Sequence, residues 1–156
     1  MHFGKTFWKK FSKDLIHDYT DSLAEMGLVL DVNDGHVAKQ IQSLCQKFPD
    51  WRIGILQSTK DFVMSRVFGE ISQSQHAQLV LGPEGIAALT ADENDNCSSW
   101  VPHTATHTFL SDHADAQERI GAMSAINFAN EIVTKMSGIS YRAQVPSVER
   151  EESQTY

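Results

Sequence analysis

The chain is poor in cysteine and has no surplus of positive charge, and each shortage removes a class of protein. Its two cysteines in 156 residues, Cys45 and Cys97, are far apart with no CxxC, too few for a disulfide scaffold or a thiolate zinc site. Cys45 falls on the apolar side of an expected helix, and the pair reads as reduced and structural. A formal charge of −7 leaves a nucleic-acid binder without the dense positive surface that phosphate contact draws on. No apolar run nears the length that spans a bilayer, and the N-terminus lacks the apolar core of a secretory signal, so the expected location is cytoplasmic. GxSxG, HExxH and a Gly-rich phosphate loop are missing, and no cofactor is expected.

What is present is ordinary globular material. The hydrophobic fraction of 41% and the charged fraction of 21% suffice for one real core and argue against wholesale disorder. The expected organisation is a single domain over 1–146 and a mobile acidic tail over 147–156, where Glu149, Arg150, Glu151 and Glu152 show no apolar periodicity.

From Phe3 to Met26, apolar residues at Phe7, Phe11, Leu15, Tyr19, Leu23 and Met26 recur at helical spacing, and Gly27 ends the pattern. Phe7, Trp8 and Phe11 stand among Lys5, Lys9, Lys10 and Lys13, so this helix either packs on the domain or a partner, or lies in a membrane surface. Asp31 to Gly35 fails as a calcium loop, since Gly35 occupies a ligand position and Gln42 stands where a bidentate Glu is required. Asn33 and Asp34 read instead as caps for a second amphipathic helix through Val37, Ile41, Leu44 and Phe48, stopping before Pro49. Four apolar runs follow, Trp51 to Leu56, Phe62 to Ile71, His76 to Leu81 and Ile86 to Ala91, with short polar connectors that suit an antiparallel meander. The last run also fits a helical turn. Gly54 and Gly69 suggest bulges or close packing under a helix. Asp92 to Cys97 reads as an exposed acidic loop without EF-hand spacing.

Between Val101 and Phe109 the odd positions alternate with Thr104, Thr106 and Thr108, a strand pattern. Ser111 and Asp112 can cap a helix starting near His113, and Gly138 can end it. Such a helix is about 37 Å long, against about 23 Å for a seven-residue strand, so one end should overhang the sheet. Ile139, Tyr141, Ala143 and Val145 alternate with polar residues as a closing strand, and a strand, helix and strand in succession predict a parallel return. The expected fold is therefore α+β: a mainly antiparallel sheet of five to six strands, two N-terminal helices and one long helix before a C-terminal strand. In size, acidity and mixture of elements the chain is similar to small cytosolic secretion chaperones, a likeness of fold type alone.

His103, His107 and His113 crowd within eleven residues. On a strand, residues four apart stand about 13 Å from each other, whereas two ligands of one zinc must lie within roughly 4 Å, so no metal site is expected. As an enzyme, the chain would draw on Cys97, His103, His107, Asp112 and His113, with hydrolysis the expected reaction type. As a non-enzymatic adaptor, chaperone-like or inhibitor-like module, which the lack of a catalytic signature favours, it would bind another polypeptide. Self-association as a homodimer would use Ala122, Ala125 and Ala129 on the overhanging helix. Membrane-surface association through the first helix is a third, less favoured expectation.

Overall fold

The computed structural model describes residues 12–28, 38–91, 96–111, 116–134 and 140–142. Helix α1 spans Lys13–Glu25. Ser12 begins it, its hydroxyl accepting the Leu15 N–H at 3.1 Å, which satisfies one of the free donors of the first turn. Gly27, at φ +66, ends it by turning left-handed, so that Gly27 N–H reaches Ala24 O and Leu28 N–H reaches Leu23 O. Helix α2, Lys39–Lys47, closes at Phe48 just before Pro49. The stretches carrying Phe7, Trp8 and Phe11, the Asn33 and Asp34 caps, and the tail lie outside the described residues.

Three strands, β1 (Ile53–Leu56), β2 (Cys97–Val101) and β5 (Tyr141–Arg142), form a sheet in the order β1-β2-β5 with both pairs parallel. A separate antiparallel hairpin joins β3 (Arg119–Ile120) to β4 (Met123–Ser124) through Gly121 at φ +59. The expected five- to six-stranded antiparallel sheet is therefore overturned: the chain mixes helices with short strands, but its principal sheet is parallel. Only the first of the four runs after Pro49 is a strand. Phe62 to Ile71 holds a π-helix, Val63–Gly69, while the third and fourth runs are helices α3 (Gln73–Leu81) and α4 (Ile86–Leu89). Ser72 explains the third: its Oγ accepts Gln75 N–H while Gln75 Oε1 accepts Ser72 N–H, a reciprocal cap that turns an apparent connector into a helix start.

The long helix is overturned as well. Among the described residues helix α5 runs only Ala125–Thr134, because the β3–β4 hairpin takes up the preceding six residues. The overhang that suggested self-association is thereby removed. The strand expected over Val101 to Phe109 ends where it was to begin, and Pro102, which lacks a donor, opens a loop. The parallel return from β2 through α5 to β5 is present.

Strand alternation assigns the two faces of the sheet. Ile55 and Val101 pack with Val80, Ile86, Ala87 and Ile41 under α2, α3 and α4. Leu56 and Trp100 pack with Phe109, Ala125, Phe128 and Ile132 on the side of α5. A parallel sheet covered on both faces needs this, and the β2 side chains are buried throughout. Gly54 lets α5 lie close: a Cβ there would stand 2.6 Å from the Ile132 side chain. The cysteines also depart from expectation. Cys45 of α2 and Cys97 of β2 are joined in a disulfide, with Cα atoms 6.1 Å apart. The alternation that directs Cys97 toward α2 and the apolar face that buries Cys45 bring the two together.

Candidate functional site

Parallel strands end side by side, so the loops that follow them are neighbours, and in open sheets of this kind the carboxyl ends are where ligands are held. After β1 the chain reads Gln57-Ser58-Thr59-Lys60-Asp61, and after β2 it reads Pro102-His103-Thr104-Ala105-Thr106-His107. Their backbones stay coupled beyond the strands. Gln57 N–H donates to Trp100 O, Thr59 N–H to Pro102 O, Lys60 N–H to Thr104 O and Phe62 N–H to Ala105 O, at 3.0 to 3.3 Å. Ser58 Oγ adds a short bond to Thr106 O.

This coupling brings the side chains of the two loops together in pairs. The Asp61 carboxylate, 3% exposed, meets Nδ1 of His107, 40% exposed, at 2.9 Å through Oδ2 and 3.1 Å through Oδ1. Oδ1 also accepts Met64 N–H at 2.8 Å, so one carboxylate both caps the helical segment entering the π-helix and orients an imidazole. Two residues earlier, Thr59 Oγ1 lies 2.8 Å from His103 Nδ1. Partial burial, and then the nearby Lys60 ammonium, hold His103 below the ordinary histidine value. The hydroxyl of Thr104 donates to Glu118 Oε2 at 3.3 Å.

Beneath the loops lies His76 of α3, fully buried. Its Nδ1–H donates to Thr59 O at 2.8 Å, which leaves Nε2 carrying the lone pair. That atom has no hydrogen-bond partner among the described residues. Burial dominates the surroundings of His76 and keeps it neutral, outweighing the Thr59 carbonyl and the Asp61 charge, which favour protonation.

No protein-family model matches this chain, and neither does any curated protein or solved structure.

Of the residues singled out by sequence, His103 and His107 belong to this cluster. Cys97 does not: it is buried at the start of β2 and bonded to Cys45, so it has no thiol to offer as nucleophile or ligand. Asp112 and His113 lie outside the described residues. Ala122 is exposed in the β3–β4 turn, Ala125 is buried in the core and Ala129 is half-buried on α5. The strand geometry used to set metal aside is absent, because the histidines sit in a loop. Each ring instead spends Nδ1 on Thr59 or Asp61, and no group of three ligands that could hold an ion occurs among the described residues.

The sequence pattern does not single out Thr59, Asp61 or His76, since Ser58 to Asp61 has the composition of a plain connector and His76 stands at the start of a strand-length apolar run. The signal was a carboxylate and hydroxyls directly after a strand. It becomes a functional signal only once that strand is known to be parallel to its neighbour.

Proposed function

We propose that the chain is a small enzyme of hydrolase type in which His107 transfers the proton and Asp61 holds and polarises it. The Asp61–His107 pair carries this reading. A carboxylate accepts but does not donate, so neutral His107 keeps its proton on Nδ1 and presents the Nε2 lone pair. The His107 side chain, 40% exposed at the carboxyl ends of a parallel sheet, can take a proton from water or a substrate hydroxyl and return it to a leaving group. The buried carboxylate steadies the imidazolium that forms in between.

Two experiments test it. Histidine-labelled protein at mildly alkaline pH should show His107 as the Nδ1–H tautomer by 15N shifts, and Asp61→Ala should abolish that preference. A panel of activated esters, amides and phosphoesters should include at least one that the protein cleaves. On that substrate His107→Gln should lose about a hundredfold or more, in line with general acid–base catalysis, and Asp61→Asn should be impaired too. No cleavage on any member, or equal cleavage by His107→Gln, sinks the enzyme reading.

The interaction-module reading keeps one supporting observation: Phe62 and Leu110, each 54% exposed, flank the same two loops in sequence. Under that reading a polypeptide partner retained from the native host would be lost in Phe62→Ala/Leu110→Ala and unaffected by His107→Gln. As for location, the Cys45–Cys97 disulfide favours an oxidising compartment over the cytoplasm. No helix among the described residues is long and apolar enough to cross a membrane.

A further inference from the structure

His76 plays no part in the proton transfer, yet it is a fully buried titratable group one bond away from the loop that builds the site. Its ring spends its one proton on Thr59 O, and Nε2 faces no acceptor among the described residues. Thr59 in turn holds His103, and Asp61, two residues on, holds His107. We propose that His76 is a proton-operated latch on the loop after β1: a proton from solvent added at Nε2 unseats the loop, and Thr59 and Asp61 release the two histidines together.

The physical reason is that no group among the described residues is placed to receive a second N–H. Protonation creates a buried cation with an unsatisfied donor, and both costs are relieved by moving the ring or the loop toward water. Asp61 is the charged group that faces His76 from the β1 loop, but its oxygens are already engaged by Met64 N–H and His107. Lys60 and His103 stand one link away through Thr59, and positive charge on either opposes charging His76 further. The π-helix packs against α3, and its Arg66 and the Glu70 that follows it are exposed; α4 carries no charged residue, and Glu84 in the α3–α4 turn is also exposed. None of these elements supplies a buried counter-charge. As regulation of the site, the latch rests on the proposed role of His107, but its claim concerns backbone opening and is read without any activity.

The test is amide hydrogen exchange followed from neutral pH to about pH 5 and expressed as protection, which removes the intrinsic pH dependence. The amides of Thr59, Lys60 and Phe62, which bond across to Pro102, Thr104 and Ala105, should lose protection by up to about tenfold per pH unit where the open loop binds a proton that the closed loop does not. Thr90, whose N–H donates to Ile86 O of α4, should hold its protection over the same range and so exclude global unfolding. His76→Gln, which keeps a donor for Thr59 O, should remove the loop's pH response, while His103→Gln and His107→Gln should retain it. Unchanged protection in the wild type overturns the latch, and so does an equal loss in His76→Gln. Should His76→Gln not fold, ring titration of labelled wild type decides: His76 and the Lys60 and Phe62 amides must share one midpoint, and separate midpoints overturn the proposal. A failed latch leaves the role of His107 standing, and a chain that cleaves nothing leaves the latch standing.

Discussion

Single residues here carry two tasks each. Asp61 caps a helix and orients His107; Thr59 supplies a carbonyl to His76 and a hydroxyl to His103. Substituting either should disturb local folding and site geometry together, so His107, which is only received by the cluster, is the cleaner probe of chemistry. The histidines also set a pH dependence whose sign is determined. His76 and His103 bind protons less readily folded than unfolded, so as pH drops through the unfolded value of about 6.5 toward their lower folded values the unfolded chain holds more protons and stability is lost. Each such group contributes a slope of at most about 1.4 kcal/mol per pH unit, less for His103, which is only partly buried. Urea denaturation at neutral pH and at about pH 5.5 should therefore give a lower midpoint in acid, with most of the difference gone in His76→Gln.

At the scale of elements, close approach and capping decide most. Helix α5 sits on β1 through Gly54 and Ile132, where added volume meets a branched side chain in a packed layer. Gly54→Val should destabilise by about 1–3 kcal/mol, and Ile132→Ala in the same chain should recover part of that loss by making room. Thermal melts of the two single variants and the double variant check this, and additive losses would refute the contact. Ser72→Ala removes the reciprocal cap of α3 and should cost about 1 kcal/mol. That cap was legible in the sequence as Ser and Gln three apart. It resembles a connector because the apolar runs on either side are as short as strands, and periodicity alone does not separate a short buried strand from a short buried helix.

For the molecule as a whole, the disulfide is a covalent constraint between distant elements. It ties α2 to β2 across 52 residues of chain. A loop of that length lowers the entropy of the unfolded state by an amount worth about 4 kcal/mol in the chain-entropy model. Intact protein should show no thiol reactive under denaturing, non-reducing conditions, and Cys45→Ser/Cys97→Ser should melt well below wild type. Two free thiols in native material, or an unchanged melt, would remove this constraint. Both half-cystines are buried, so reduction should follow unfolding and not precede it.

The sequence by itself determined the local events: Gly27 as the stop of α1, Phe48 before Pro49 as the end of α2, Gly54 as a bulge or a place of close packing, of which the structure has the second, and His103 and His107 as residues worth watching. Each depends on neighbours a few positions away, through spacing, capping or a missing donor. Tertiary structure alone decided that β1 and β2 run parallel, that Cys45 meets Cys97, and that Asp61 stands beside His107 across 46 positions of chain. Those pairings are set by which faces bury together, and the residues at their two ends carry no mark of each other until the sheet has placed them.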